Sequence, residues 1–180
     1  FAAVSAGSAH TCAMTRLGSV MCWGDSQQGQ AGDQTQLLHN GPLLLGSTAN
    51  YANVSAGFDH SCAVTKAGGM ECWGNTVQQR QLPSAYNPFF GVPIDVLGLH
   101  SALPAPVDRV SAGFARTCAH ATDGTLSCLD EAFNMQDVMP ATTALTDLDI
   151  SSTRFGPHRD VCVADAGNLL CHLHSGSTRS

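Results

Sequence analysis

The sequence predicts an all-β protein, a partial β-propeller of about four blades, each a small antiparallel sheet with a cysteine-stapled hairpin. Three observations carry that expectation. A Val-Ser-Ala-Gly motif recurs, a glycine-ended loop follows each copy at a constant distance, and the eight cysteines fall two to a copy. No stretch shows sustained helical periodicity.

The composition sets the bounds. Of 180 residues, 43% are hydrophobic, enough for a core, and 12% are charged. That charge content is about half of the roughly 25% usual in soluble domains. Disordered chains show the opposite balance. The 14 acidic and 8 basic residues leave a net charge of −6, and Lys66 is the single lysine. A nucleic-acid binder that tracks phosphates needs a basic stripe, so nucleic acid is not an expected partner. No apolar run approaches the ~20 residues of a membrane span, so no membrane insertion is expected. No secretory signal is visible, and in a chain opening at Phe1 any signal would already be gone.

The repeat comes first, because missing it misreads the fold. Val4-Ser5-Ala6-Gly7 recurs as Val54-Ser55-Ala56-Gly57 and as Val110-Ser111-Ala112-Gly113. Thr11-Cys12, Ser61-Cys62 and Thr117-Cys118 follow at one distance, and two copies close with Cys22-Trp23-Gly24 and Cys72-Trp73-Gly74. A fourth, degenerate copy begins at Ile150-Ser151 and holds Cys162 and Cys171. The approximate repeats are 1–33, 42–82, 93–136 and 140–176, all in one propeller segment. Their cores are constant and their connections vary, as expected of surface loops on a repeated scaffold.

Within each copy the elements read as strands. Cys12-Ala13-Met14-Thr15 and Ser19-Val20-Met21-Cys22 flank Arg16-Leu17-Gly18. A three-residue loop with glycine last suits a type I turn plus a glycine bulge, since glycine takes positive φ without a Cβ clash. Lys66-Ala67-Gly68 and Thr122-Asp123-Gly124 repeat it. The Val-Ser-Ala-Gly strand precedes the hairpin, and its small residues let a neighbouring sheet approach closely. Pro42 to Leu45 and Pro93 to Leu97 read as further strands with proline at the first position. Four strands per unit, repeated radially, make a propeller.

Val-Ser-Ala-Gly, then His10-Thr11-Cys12-Ala13, then Cys-Trp-Gly and the polar tail Asp25 to Gly32 resembles the regulator of chromosome condensation repeat. The resemblance implies a family of seven-bladed propellers, with β-lactamase inhibitor protein II similar in fold. Copy one matches almost throughout. Copy two has Arg80-Gln81-Leu82 where Gly-Gln-Leu is expected, copy three has Leu129-Asp130 for Trp-Gly, and copy four lacks the tail. Four units are too few for the family's ring. Phe1-Ala2-Ala3-Val4 aligns with Tyr51-Ala52-Asn53-Val54, so a slice of a larger protein or an incomplete propeller is expected.

The cysteines pair as Cys12/Cys22, Cys62/Cys72, Cys118/Cys128 and Cys162/Cys171, with none left over. An even set with one pair per hairpin reads as a disulfide framework from an oxidising compartment. Each bridge closing a loop of about 11 residues would stabilise by about 2.8 kcal/mol in the chain-entropy model. Counting outward from Arg16-Leu17-Gly18 puts Cys12 opposite Cys22 in a non-hydrogen-bonded pair, where Cα atoms lie about 4.5 Å apart. The fourth pair keeps that parity with a two-residue loop at Ala166-Gly167, and loses it with a four-residue loop from Asp165 to Asn168. Zinc is the rival reading. His10, His60 and His120 each lie two residues from a cysteine, and Cys171-His172-Leu173-His174 is rich in ligands. There is no Cys-x-x-Cys knuckle, however, and no four-ligand set within a repeat. No metal or cofactor is expected. The resemblance gives the histidine before the cysteine a packing and hydrogen-bonding role.

No Gly-x-Ser-x-Gly elbow, phosphate loop or His-Glu-x-x-His motif is present, and no catalytic activity is expected. Asp147 and Asp149 alternate along a strand and read as solvated. Asn53-Val54-Ser55 has the form of an N-glycosylation acceptor. It also opens a strand expected between blades, and both readings stand. Trp23 and Trp73, at one repeat position, read as packing residues between blades rather than sugar platforms.

The function expected is an extracellular or cell-surface propeller scaffold for protein interaction, a segment of a larger structural assembly. Tyr86, Phe89 and Phe90, in the long connection Asn75 to Asp108, are the expected aromatic anchors for a protein partner. The resemblance also implies two alternatives: a guanine-nucleotide exchange factor for a small GTPase, or a propeller-type enzyme inhibitor. Paired cysteines, acidic balance and four units weigh against the exchange factor.

Overall fold

The computed structural model describes residues 1–45, 50–75, 94–95, 106–114, 116–130, 135–139, 145–150, 161–165 and 168–172. All of the regular structure among them is β. Blade one holds β1 (Ala3–Ala6), β2 (His10–Met14), β3 (Val20–Gly24) and β4 (His39–Leu44). Blade two holds β5 (Tyr51–Ala56), β6 (His60–Thr65), β7 (Met70–Gly74) and β8 (Ile94–Asp95). Blade three holds β9 (Val107–Ala112), β10 (Arg116–Ala121), β11 (Leu126–Asp130) and β12 (Met135–Met139), and blade four holds β13 (Leu145–Ile150), β14 (Val161–Asp165) and β15 (Asn168–His172). Within each blade the strands pair antiparallel in chain order. The first strands touch in succession, β1 to β5 to β9 to β13, so the blades stand side by side around one line.

Each hairpin follows its loop chemistry. Gly18, Gly68 and Gly124 have φ of 89°, 87° and 91°, the left-handed region that glycine enters without a Cβ clash. The Thr15 amide donates to the Ser19 carbonyl at 2.8 Å, closing the first hairpin with a hydrogen-bonded pair. Alternation outward then places Cys12 opposite Cys22 in a non-hydrogen-bonded pair, where backbones lie closest. Cys62 faces Cys72 and Cys118 faces Cys128 in the same way. All three pairs are disulfides, with Cα atoms 4.1, 4.1 and 4.0 Å apart. In blade four Asp165 faces Asn168 and Cys162 faces Cys171, the two-residue-loop register.

Two expectations about the outer strands need correction. The segment at Pro42 starts earlier, at His39, and it closes the first sheet by pairing with β3. Likewise β8 pairs with β7 of the unit before it. Proline does not lead β4. It sits inside, where the register jumps from Cys22↔Leu43 to Gly24↔His39 and leaves two extra residues on β4. An outermost strand tolerates this, because the missing N–H falls at a bulge with no inner partner to starve.

The core lies between blades rather than within one. Cys12, Met14, Val20 and Cys22 of blade one bury against Tyr51, Val54, Ala56, Ala63 and Trp73 of blade two. Cys62, Val64, Met70 and Cys72 then bury against Val107, Val110, Ala119 and Leu129 of blade three. A single blade is too thin to bury its own faces, so stacking supplies the core.

Candidate interaction site: the seams between blades

The seams between blades one and two and between blades two and three are built from the same repeat positions. Ser5 Oγ accepts the Ala56 amide at 2.9 Å, and Ser55 Oγ accepts the Ala112 amide at 2.9 Å. The Ser8 amide reaches the Gly57 carbonyl at 3.2 Å, and the Phe58 amide reaches the Gly113 carbonyl at 3.0 Å. At the far end Tyr51 donates to Gly18 O and Val107 to Gly68 O, both at 2.9 Å. The small residues of Val-Ser-Ala-Gly make this contact feasible. A Cβ on Gly7 would run into the Gly57 carbonyl, and one on Gly57 would lie 2.6 Å from the Gly113 carbonyl.

The histidine opening the second strand crosses the seam. His10 Nε2 lies 2.7 Å from Ser61 Oγ, and His60 Nε2 lies 2.9 Å from Thr117 Oγ1. Ser61 donates its hydroxyl proton to the Gln30 carbonyl at 3.0 Å, so it accepts from His10, which must carry its proton on Nε2. His10 Nδ1 is buried and has no partner among the described residues. A charged ring would be poorly solvated there. Burial first, and the neighbouring His60 second, lower its pKa to about 4.

The polar tail of copy one completes the seam. Gly29 and Gly32 hold φ of 76° and 77°, and Gln30 is buried. Its side chain folds back, accepting from the Gln28 amide at 2.8 Å and donating to Asp25 at 3.2 Å. That leaves the Gln30 carbonyl pointing at blade two, where Trp73 Nε1 donates to it at 3.0 Å. The indole packs over Gly32, where a Cβ would come within 3.0 Å of Nε1. Trp73 is therefore the inter-blade packing residue expected, while Trp23, at the same position in blade one, is half-buried.

The remaining sequence candidates disperse. The histidines are not one set: His10 and His60 cross seams, whereas His120 follows its cysteine and bonds Asp108 of its own blade at 2.6 Å. Arg116 takes the seam position in blade three. Cys12, Cys22, Cys62, Cys72, Cys118 and Cys128 are consumed by disulfides, and no three metal-ligating side chains converge among the described residues. Asp33, Thr35 and His39 do cluster, but Asp33 Oδ2 and Thr35 Oγ1 both approach His39 Nε2, at 2.8 and 3.1 Å. A proton relay needs its two partners on opposite ring nitrogens, so this trio ties down the turn after the tail. Asn53 is half-buried, and its Oδ1 accepts the Val110 amide at 3.1 Å across the second seam. Asp147 and Asp149 lie on β13. Tyr86, Phe89 and Phe90 fall outside the described residues. One aromatic pair was missed in the sequence: Phe58 and Phe114, on equivalent turns of adjacent blades, meet edge to face at 4.7 Å. The signal was available, since both follow the glycine of Val-Ser-Ala-Gly.

Stacked antiparallel blades of three or four described strands, joined by repeat-equivalent seams, define a β-propeller. Residues 1–30 match the family described as the regulator of chromosome condensation (RCC1) repeat, and the chain carries an RCC1-type propeller fold. Human WBSCR16 is similar over 94% of this chain and 46% of its own, with 18% identity and a TM-score of 0.72. Prp20p of Saccharomyces cerevisiae, in a structure described with its binding to Gsp1p and histones, is similar over 95% and 44%, with 17% identity and a TM-score of 0.64. The ectodomain of the Arabidopsis thaliana receptor kinase ACR4 is similar over 93% and 49%, with 22% identity and a TM-score of 0.53. The chain thus spans less than half the length of each. No curated protein sequence matches it.

Proposed function

We propose that the protein is a non-enzymatic propeller module for protein interaction, working outside the cell or on its surface as part of a larger assembly. The observation that carries this is the set of three buried disulfides at one register position in successive hairpins. Such bridges persist in oxidising compartments and are rare where thiols are kept reduced. The likeness to a receptor ectodomain supports the same setting. To Tyr86, Phe89 and Phe90 we assign the binding of the partner, since aromatic side chains are enriched at the centre of protein interfaces. The test is thiol alkylation of the native protein before and after reduction, with mass readout. Fully bridged cysteines support the proposal, and cysteines alkylated without reductant overturn it.

A second reading is favoured by the likeness to Prp20p, whose structure is described with Gsp1p binding. Here the chain would act on a small GTPase. Release of a fluorescent nucleotide from such a GTPase, faster with the chain than without, would support that reading.

A further inference from the structure

We infer that Asn40-Gly41, in the bulge of β4, is a site of self-modification: the Gly41 nitrogen closes on the Asn40 side chain, ammonia leaves, and an isoaspartate remains on the outer edge of blade one. The inference holds whether or not the extracellular reading does. This is the one Asn-Gly step in the chain. Asn-Gly commonly forms a two-residue hairpin turn, but here β4 runs on through it, from His39 to Leu44. The register pairs His39 with Gly24 and Leu43 with Cys22, and gives neither Asn40 nor Gly41 a partner on β3. Pro42 has no N–H with which to tighten the bulge. Asn40 and Gly41 are exposed, and a Cβ at Gly41 would meet nothing within 4 Å. The strand is pinned on either side. His39 lies 2.8 Å from Asp33 and 3.1 Å from Thr35, and the Leu45 amide donates to the Val20 carbonyl at 2.9 Å. Between those anchors the Asn-Gly step is free to rotate without unzipping the sheet.

The reaction consumes only water. The Gly41 amide gives up its proton, and its nitrogen attacks Cγ of Asn40. A new C–N bond closes a succinimide ring, the Cγ–Nδ2 bond breaks, and Nδ2 takes up the proton and departs as ammonia. Water then opens the ring at either carbonyl. One opening gives aspartate. The other gives isoaspartate, in which the backbone runs through Cβ and Cγ and the free carboxylate stays on Cα. Glycine suits the first step, because without a Cβ its nitrogen is unhindered and its backbone adapts to the ring. Other candidates among the described residues are held away from this path. Asn53 Oδ1 accepts the Val110 amide at 3.1 Å, and Asn75 Nδ2 donates to Asp59 at 2.6 Å. Asp123 also precedes a glycine, but the Gly124 amide donates to the Ala121 carbonyl at 2.9 Å and the Thr125 amide donates to Asp123 Oδ1 at 2.9 Å. The Thr125 amide, and then its hydroxyl, hold the Asp123 carboxyl below the usual carboxylate range, and an ionised carboxylate is a poor electrophile. The chemistry therefore falls on Asn40.

The test incubates the folded, disulfide-intact chain in mildly alkaline buffer and maps its peptides over time. Asn40 should show the mass change of an amide-to-acid exchange and split into two products. Isoaspartate is recognised by its fragmentation and by methyl transfer from S-adenosylmethionine with an isoaspartyl carboxyl methyltransferase. Conversion should quicken as pH rises, since the attacking nitrogen must lose its proton, and Asn53, Asn75 and Asp123 should lag severalfold. Gly41→Ala should slow conversion severalfold and keep the melting temperature, because the added methyl meets open space. Conversion of Asn40 in urea but not in the folded chain would overturn the proposal, since β4 would then hold the side chain away from the Gly41 nitrogen. So would equal rates in the wild type and Gly41→Ala, or aspartate without isoaspartate, each the mark of direct side-chain hydrolysis. The wild-type time course, folded against unfolded, depends on no variant.

Discussion

The imidazole of His10, on the second strand of blade one, stands 2.7 Å from the hydroxyl of Ser61, on the second strand of blade two. Ser61 passes its own proton to the Gln30 carbonyl, which also receives the Trp73 indole. One short chain of hydrogen bonds thus ties together two blades and a tail, and it fixes a proton on His10 Nε2 while the buried Nδ1 has no partner among the described residues.

Burial of the ring, with Nδ1 unpartnered, makes the seam acid-sensitive. The folded pKa of His10 is about 4, below the ~6.5 of an unfolded imidazole. Below that value the unfolded chain takes up a proton that the folded seam refuses, so its stabilisation is whole above pH ~6.5. It is lost as pH falls toward 4, by about 3 kcal/mol in all. Urea midpoints measured from pH 7.5 to 4 should fall in the wild type and flatten in His10→Gln. A wild-type midpoint constant across that range would show that the ring is not held neutral.

Ser61→Ala should destabilise by about 1–3 kcal/mol, because it leaves the buried His10 Nε2–H without an acceptor. Ser61→Thr should be close to neutral, since Thr117 fills the same role toward His60 at 2.9 Å. Chemical denaturation of the two variants side by side separates a hydrogen-bond effect from a volume effect.

Gly57→Ala should part blades two and three, since its Cβ would lie 2.6 Å from the Gly113 carbonyl. An overpacking loss of about 1–3 kcal/mol is expected. Gly41→Ala is the control, with nothing within 4 Å of the added carbon. Equal melting temperatures for the two variants would contradict the close seam.

The register of blade four, with Cys162 opposite Cys171, predicts a fourth bridge like the other three. Peptide mapping under non-reducing conditions should recover Cys162 joined to Cys171. A Cys62→Ser/Cys72→Ser double variant should lose about 2–4 kcal/mol, as expected for a bridge of this loop size.

Asn53 should remain unmodified when the chain is expressed through a secretory pathway, because its side chain faces the second seam and accepts the Val110 amide. A mass decrease on glycosidase treatment that maps to this residue would refute the placement.

Repeat, hairpins and cysteine register were legible in the sequence, because each depends on a few neighbouring residues. Gly18 takes its positive φ from the loop it ends, and Cys12 meets Cys22 by counting from that loop. What a strand belongs to was not legible. Pro42 closes the first sheet from inside a bulge, a choice made by pairing with β3 and not by the proline. Nor did identity at a repeat position determine environment. Val4 and Val54, or Trp23 and Trp73, are the same residue in the same local frame, yet only the later of each pair is covered. Burial belongs to the space between blades. Local sequence therefore determined the shape of each blade, and only the stacking decided which of its equivalent residues became core, seam or open face.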